Sequence, residues 1–348
     1  MQRFSMARNR IYDLLDEIGK ASGISELIIN RPDNVFVEKD GELIRLDVQF
    51  SEIEIDAFCK DIARYNRKEF SAQYPILDGN LSDGSRVNII HKDYTNVSHA
   101  VTIRRYSKSI QTFDTAKGIF GLDEQWVRFL KLMIKARMNI VVSGGTGVGK
   151  TTFLNLMLQE IPPSERVITI EDTRELKFNL PNVVRLEARP PVLDQGGLTI
   201  RELLKNTLRM RPDRIIVGEV RGGEVFDLLQ AMNTGHEGSM TSIHSNSPGE
   251  CLMRLENLYL LSGYDLPLRA LRYQVSSAVD YIIQVKRDKK GRRHVSNVSE
   301  VAGMEGDRIL MQDIGTLKDD VFKFTGLVPS NVGRLHQVGL PKDFFVGA

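Results

Sequence analysis

The sequence predicts an α/β protein in which a parallel sheet with helices on its faces follows a smaller α+β domain. Apolar runs at 139–143, 167–171 and 214–219 are separated by helical stretches, which is the pattern of a parallel sheet. The residues before them instead place short runs of branched side chains beside turn signals. At 348 residues, of which 41% are hydrophobic, the chain is long enough to build two cores. We therefore expect two domains.

The first domain is predicted over residues 1–106. Asp40-Gly41 separates two branched runs and is typical of a hairpin turn, because both positions tolerate positive φ. Ser51 is a suitable N-cap for a helix with an apolar stripe. The predicted elements are strands at 24–29, 35–39, 43–48, 86–91 and 100–104, and a helix at 52–65. Short strands joined by turns indicate an α+β domain.

A polar segment broken by glycines, residues 107–121, is predicted to link the domains and to act as a hinge. The second domain then covers residues 122–348. Further elements expected there are helices at about 122–137, from Lys150 onward, near 200–210 and at 223–233, and a strand at 239–243. The charge run at 286–294 is expected to be a solvated hairpin tip, with a phosphate or lipid contact as the alternative.

Composition narrows the class of protein. Lys and Arg number 47 against 45 Asp and Glu, which gives a formal charge of +2. The chain therefore has neither an acidic tail nor the excess of basic residues typical of nucleic-acid-binding proteins. No apolar run approaches the roughly 18 residues of a membrane span, and the N-terminus lacks a signal sequence. Cys59 and Cys251 match no metal or redox spacing. A secreted disulfide protein, an integral membrane protein and a disordered chain are excluded, and we expect a soluble, cytoplasmic protein.

Residues 144–151, GGTGVGKT, fit the pattern G-x-x-x-x-G-K-[ST] between an apolar strand and a helix. In that context the glycines let backbone N–H groups surround phosphate oxygens, and the helix N-terminus adds positive potential. Lys150 is predicted to contact the β- and γ-phosphates, and the Thr151 hydroxyl to ligate Mg²⁺. The predicted ATP-binding residues of this loop are Gly144, Gly145, Thr146, Gly147, Val148, Gly149, Lys150, Thr151 and Thr152.

Hydrolysis also needs acidic groups that organise Mg²⁺ and a water molecule. Glu219 ends the run RIIVGE, and Glu171-Asp172 ends VITIE. These carboxylates are expected at the carboxyl edge of the parallel sheet, where ligands bind. A surface carboxylate closing a strand is the alternative for Glu219, and a helix N-cap is the alternative for Asp172.

Two histidines, His236 and His244, flank the candidate strand at 239–243. The end of that strand places His244 at the same edge as the carboxylates, which favours a sensor of the γ-phosphate. A structural role is the alternative for each histidine, and no zinc site is expected because ligands at the required spacing are absent.

Four segments in this order resemble the secretion-ATPase superfamily of type II and type IV machines: GGTGVGKTT, TIEDTREL, MRPDRIIVGEVRGGE and GHEGSMTSIHSNSP. In that family they are called the Walker A, Asp box, Walker B and His box. The segments YDLPLRAL and VSEVAGMEGD most resemble sequences of the CpaF branch, the ATPases of Tad/Flp pili. The resemblance runs from about Ile11 to the C-terminus and implies a RecA-like P-loop ATPase domain behind the α+β domain.

The resemblance also implies roles for matching residues. It places Lys150 and Thr151 on the nucleotide, Glu219 as the general base of Walker B, and Glu171 as its partner on Mg²⁺ or the water. From the residues alone, either Glu219 or Glu171 is a candidate base. The His box contributes His236 and His244.

Arginines complete the expected site, because a guanidinium stabilises the charge spread over a phosphoryl group in transfer. By resemblance, Arg86 in DGSRVNI and Arg104-Arg105 in TIRR present positive charge to the nucleotide, and TIRR here replaces the consensus TIRK. Arg221, two residues past Glu219, is a further candidate that reaches across a subunit boundary. Surface or interdomain salt bridges are the alternative for these arginines.

The resemblance implies ATP and Mg²⁺ as cofactors and a homo-oligomer, a hexamer in this family. The expected partners are inner-membrane platform proteins of a pilus or secretion system, and no nucleic acid is expected to bind. The expected location is the cytoplasmic face of the inner membrane, as a peripheral protein. Chains of the CpaF branch carry a longer N-terminal extension, whereas about ten residues precede the match here. The docking role of that extension is therefore expected to be absent or moved to another protein.

Two other functions stay open. A RecA-like DNA-transfer motor shares the nucleotide core, although the near-neutral charge argues against a nucleic-acid track. A catalytically silent nucleotide-binding scaffold has no need of the acidic groups Glu171 and Glu219. Near the C-terminus, the segment 323–345 is either a contact for a membrane partner or packed on its own domain.

Overall fold

The computed structural model describes residues 9–21, 23–39, 41–95, 97–105, 112–115, 118, 120–189 and 196–345. The chain divides into two compact units, Met1–Ser109 and Ile110–Ala348. This boundary falls inside the segment predicted as a linker, 107–121, much of which lies outside the described residues.

The first unit is built on an antiparallel sheet. Its elements are α1 Arg10–Lys20, β1 Ile24–Arg31, β2 Asn34–Lys39, β3 Glu42–Leu46, α2 Glu52–Asn66, β4 Ile76–Asn80, β5 Arg86–Ile90, a short 3₁₀ turn Lys92–Tyr94 and β6 Ala100–Arg104. The described strands follow the order β3-β2-β1-β6-β5-β4. Leu27, Ile29 and Val87 of the sheet and Phe58 of α2 are buried in one core, which confirms the predicted α+β unit.

Local chemistry accounts for several of these elements. The Ser51 hydroxyl accepts from Glu54 N–H and the Glu54 carboxylate accepts from Ser51 N–H, a capping box that starts α2. Lys39 pairs with Glu42, and Gly41 has a φ of +91°, as the predicted hairpin requires. Strand β4, ILDGN, was not predicted because Asp, Gly and Asn are poor strand formers. Pairing with β5 overrides that preference.

The second unit contains the remaining elements. They are α3 Glu124–Lys135, β7 Ile140–Gly144, α4 Lys150–Leu158, β8 Val167–Glu171, β9 Val183–Glu187, α5 Ile200–Thr207, β10 Arg214–Val217, α6 Glu224–Asn233, β11 Met240–His244, α7 Pro248–Leu260, α8 Leu268–Ala278, β12 Tyr281–Arg287, β13 Arg293–Glu305, β14 Arg308–Lys318, β15 Val321–Phe324 and α9 Val332–Gln337.

One mixed sheet forms the centre of this unit, in the order β15-β14-β13-β12-β7-β11-β10-β8-β9. Strands β12, β7, β11, β10, β8 and β9 are mutually parallel; of these, β7, β8, β10 and β11 were predicted, whereas β9 and β12 were not. Strands β12 to β15 form an antiparallel extension, of which only a hairpin tip at 286–294 was predicted. Every residue of β7, β8 and β10 is buried, because helices cover both faces of a parallel sheet. The carboxyl ends of these strands therefore meet at one edge.

The C-terminal segment packs on its own unit. Leu335 of α9 is fully buried, and Leu340 is 3% exposed. The buried Glu300 carboxylate accepts hydrogen bonds from the Ser330 hydroxyl at 2.6 Å and from Asn331 N–H at 3.1 Å. Of the two alternatives for residues 323–345, the structure shows packing for this part of the chain. Within the described ranges, no helix has the length and apolar composition needed to cross a membrane.

Candidate active site

The phosphate-binding loop joins β7 to α4. Gly147 and Gly149 have φ of +71° and +99°, a backbone conformation that side chains with a Cβ rarely adopt. A Cβ added to Gly144 would lie 2.7 Å from Val285 O and from Val148 Cγ2. The loop therefore needs glycine at these positions, and its shape is the one that lets backbone N–H groups turn toward phosphate oxygens.

Lys150 begins α4 and directs its ammonium back into the loop. Only 7% of the residue is exposed, and Nζ donates to Gly144 O at 3.1 Å and Gly145 O at 2.9 Å. Nζ also lies 3.2 Å from His244 Nε2 at the end of β11. Because β11 is the neighbour of β7, with Gly144 paired to His244, the charge that would hold the β- and γ-phosphates is next to the His box.

Thr151 contacts an acidic residue that the sequence analysis missed. Its hydroxyl donates to Glu175 Oε2 at 3.1 Å. Glu175 follows the strand-ending Glu171 by four residues in TIEDTREL, and an acidic residue inside that motif was the available signal. The two side chains place two oxygen atoms beside the phosphate loop.

Glu171 ends β8 in a buried position. Its Oε1 accepts from the N–H groups of Glu175 and Leu176, both at 2.8 Å, whereas the buried Oε2 has no hydrogen-bond partner among the described residues. Burial raises the pKa of this carboxyl to about 7, against the opposing effect of the two N–H donors. A Cβ added to Gly218 would lie 3.0 Å from Glu171 Cγ, so the chain leaves room for this side chain by having glycine there.

Glu219 follows β10 and contacts two basic groups. Its Oε1 lies 2.7 Å from His244 Nε2, an ion-pair distance without hydrogen-bond geometry in the described part of the site, and its Oε2 accepts from Arg221 Nε at 2.6 Å. Arg221 also reaches Asp172, with Nη1 3.5 Å from Oδ2. Burial lowers the pKa of His244, and the charge of Lys150 acts in the same direction, against the attraction of Glu219. A continuous polar chain therefore runs from Asp172 through Arg221, Glu219 and His244 to Lys150.

His236 does not join this cluster. Its backbone carbonyl accepts from the Ser239 hydroxyl, and its ring Nδ1 lies 3.3 Å from Ala231 O. Gly238 N–H donates to the Asn139 side chain, which immediately precedes β7. These contacts place His236 at the amino edge of the sheet, opposite the phosphate loop, so the expectation that it binds the same nucleotide as Lys150 is not supported by this geometry.

The arginines of the first unit have two different environments. Arg105 donates to backbone carbonyls near the end of α1, at 2.6 Å to Ile18 O and 3.1 Å to Gly19 O. A guanidinium held by helix-terminal carbonyls has a structural role, which differs both from the expected nucleotide contact and from the salt-bridge alternative for Arg105. Arg86 and Arg104 are paired across β5 and β6, and a nucleotide contact remains a prediction for both.

The residues present fit a nucleotide-borne Mg²⁺. Over the described ranges, no group of three or more His, Cys, Asp and Glu side chains could hold a metal ion. Mg²⁺ requires no such cage, since it retains waters and binds to substrate phosphates with one or two protein oxygens. The Thr151 hydroxyl and the partnerless Oε2 of Glu171 are oxygens of that kind.

Comparison with known proteins identifies the family of this chain. A family model described as "Type II/IV secretion system protein" matches residues 14–316. The chain belongs to this family. The predicted resemblance to type II and type IV secretion ATPases is thereby confirmed.

Relatives and solved structures agree with this assignment. The chain is 32% identical over 324 residues to a putative conjugal transfer protein of Mycobacterium tuberculosis, covering 88% of this chain and 92% of the relative. It is 31% identical over 304 residues to the type IV secretion system protein PtlH of Bordetella pertussis, covering 79% and 89%. The structure of the Yersinia pseudotuberculosis ATPase DotB superposes with a TM-score of 0.61 at 17% identity, over 85% of this chain and 80% of that one.

These similarities confirm the predicted fold class. The DotB structure shares the fold of this chain, in which an α/β domain follows the antiparallel sheet of the first unit. Membership supports nucleotide binding and ATPase activity as general properties of the chain. The individual site residues stay predictions that rest on the geometry above.

Proposed function

We propose that this chain is a Mg²⁺-dependent ATPase that powers pilus assembly or retraction, or type II/IV secretion, from the cytoplasmic face of the inner membrane. The observation that carries the proposal is the connection from Lys150 through His244 to Glu219, with contacts of 3.2 and 2.7 Å. It links the ammonium that would bind the transferring phosphate to a carboxylate able to accept a proton from water. Phosphoryl transfer requires these two functions side by side.

Within this proposal each residue has a chemical task. Lys150 neutralises charge on the β- and γ-phosphates, and Glu219 accepts the proton of the attacking water. Arg221 holds the Glu219 carboxylate in place and counters its charge until the water binds. Glu171 contributes its unpartnered oxygen to a water near Thr151. When bound, Mg²⁺ supplies charge neutralisation to the phosphates.

The finer parts of the proposal rest on the resemblance to the CpaF branch. In it, the chain works as a hexamer in a Tad/Flp pilus system and docks on inner-membrane platform proteins. Arg86 and Arg104 of the first unit bring positive charge to the nucleotide, and residues 107–121 act as the hinge. Closure then follows γ-phosphate binding because the ligand favours one domain arrangement over another.

ATP turnover of the purified chain with Mg²⁺ tests the site, with molar mass measured on the same samples. We expect turnover in a particle of about six subunits, loss of turnover by at least about 100-fold in Glu219→Gln with ATP binding retained, and loss of binding in Lys150→Ala. A matched control is Glu237→Gln, which removes a carboxylate beside His236 at the amino edge of the sheet. Undiminished hydrolysis by Lys150→Ala would refute the assignment of the site.

A DNA-transfer motor is the second candidate. The observation in its favour is the name "conjugal transfer protein" carried by the mycobacterial relative. Under this alternative, DNA would stimulate ATP turnover, and the stimulation would fall steeply with salt because phosphate contacts release counterions. We expect no stimulation, since the chain has a net charge of only +2. Salt-sensitive stimulation would favour the DNA-transfer motor instead.

A further inference from the structure

A basic hairpin projects beyond the phosphate-binding loop. Strand β12 runs parallel to β7, and the last pair between them is Val285 with Gly144, where β7 ends. Strand β12 continues to Arg287, and β13 returns from Arg293. Residues 286–293 therefore lie past the carboxyl edge of the sheet, on the side where the loop begins. They include six Lys and Arg against the single Asp288.

The tip of this hairpin is held in one shape. The Asp288 carboxylate accepts from Lys290 N–H at 2.9 Å, from Arg292 N–H at 2.8 Å and from Arg292 Nε at 2.8 Å. Arg287 Nε donates to Gly291 O at 3.0 Å. Two of the arginines are thus engaged within the tip itself. A rigid tip can present a neighbouring side chain in a defined place.

Arg293 is the cation that this arrangement puts against the loop. A Cβ added to Gly149 would lie 3.0 Å from Arg293 Cδ and 3.3 Å from Nε. Gly149 directly precedes Lys150, so the Arg293 side chain passes over the turn from which α4 starts. It is partly exposed there. The Nε of Arg293 is therefore close to the N-terminus of α4.

The side of the loop decides which part of a nucleotide Arg293 meets. Lys150 and Thr151 point toward the strands on the far side of β7 from β12, through their contacts with His244 on β11 and with Glu175 after β8. Under the proposed function, the β- and γ-phosphates and Mg²⁺ would bind on that side. An extended nucleotide whose β-phosphate sits in the loop must carry its nucleoside away from them, toward β12 and β13.

We propose that Arg293 binds the adenosine monophosphate half of ATP, by contact of its guanidinium with the α-phosphate and the base. A guanidinium suits this ligand because it pairs with phosphate oxygens and stacks on a flat ring. The proposal rests on the proposed function, since it assumes that ATP occupies the loop. It adds a nucleotide contact from the basic hairpin, which lies outside the four motifs of the resemblance.

Equilibrium binding of ATP and of inorganic tripolyphosphate to the full chain tests this role at about 0.15 M salt, which screens distant charges. Tripolyphosphate carries the phosphates without the nucleoside. Arg293→Gln keeps a side-chain stem over Gly149 and removes the charge. We expect it to weaken ATP binding by about tenfold and to leave tripolyphosphate binding unchanged. Arg293→Lys, which keeps the positive charge but not the planar guanidinium, is expected to restore part of the ATP affinity.

Two controls separate the possible failures. Lys290→Gln removes the same charge from the same tip and should change neither affinity. Lys150→Ala should weaken the binding of both ligands; if it weakens neither, the proposed function fails. If Lys150→Ala behaves as expected but Arg293→Gln leaves ATP affinity unchanged, or weakens both ligands equally, the role of Arg293 is refuted. Thermal unfolding of Arg293→Gln confirms that the compared proteins are folded.

Discussion

Replacing Glu171 by Gln isolates the free energy of keeping a carboxylate buried beside the phosphate loop. The Gln side chain has the same shape, and its carbonyl can accept the two N–H groups of Glu175 and Leu176 that Oε1 accepts now. Its amide replaces Oε2, the atom without a hydrogen-bond partner in the described part of the site. The substitution therefore removes the charge while it keeps the packing.

The magnitude follows from the pKa of Glu171, which burial raises from 4.5 to about 7. Because the folded chain binds this proton more tightly than the unfolded chain, the stabilisation is fully present below about pH 4.5 and is lost as the pH rises through about 7. A pKa difference of about 2.5 corresponds to about 3 kcal/mol. Gln does not titrate, so this loss is absent in Glu171→Gln.

Urea unfolding of both proteins, without nucleotide and with a metal chelator, measures the difference. The chain has one tryptophan, Trp126, which is fully buried in the second unit, so its fluorescence reports on the unit that contains Glu171. Between about pH 5 and about pH 8, we expect the stability of Glu171→Gln relative to the unmodified chain to rise by about 2 kcal/mol. Glu305→Gln, at an exposed position of β13 in the same unit, should show no such trend. Parallel pH profiles for Glu171→Gln and the unmodified chain would refute the reasoning.

Two further predictions concern packing. Gly218→Ala places a Cβ 3.0 Å from Glu171 Cγ and should lower ATP turnover by about tenfold without changing ATP affinity. Steady-state kinetics measures this effect. The control is Gly249→Ala, where an added Cβ meets nothing within 4 Å. Leu335→Ala removes a fully buried side chain of α9 and should destabilise the second unit by about 2–5 kcal/mol in urea. Leu327→Ala, at a position 48% exposed, should have little effect, and equal losses would contradict the packing described for the C-terminal segment.

The parallel core of the second unit was predictable because its strands are continuous apolar runs. VITIE was expected at 167–171, and β8 occupies those residues. The antiparallel extension was not predictable in the same way. Strand β13, RHVSNVSEVAGME, mixes polar and apolar residues over 13 positions and takes its form from pairing with β12 and β14.

The residues of the candidate site likewise fall into those that the sequence could place and those that it could not. Glu171 and His244 each end a strand and Glu219 follows one by two residues, so a linear pattern was enough to place them at one edge of a parallel sheet. Glu175 lies in a loop, and its contact with Thr151 depends on how that loop returns to α4. Arg105 was expected at the nucleotide by resemblance, yet its guanidinium binds carbonyls near the end of α1, more than eighty residues earlier in the chain.

The sequence by itself determined the fold class, the phosphate loop and the family, because these depend on local periodicity and on motifs of adjacent residues. Only the tertiary structure decided which side chains touch: the polar chain from Asp172 to Lys150, the position of His236 at the opposite edge, and the approach of Arg293 to Gly149. These contacts join residues that are far apart in the chain. Their geometry depends on sheet order and strand register, which only pairing between distant segments establishes.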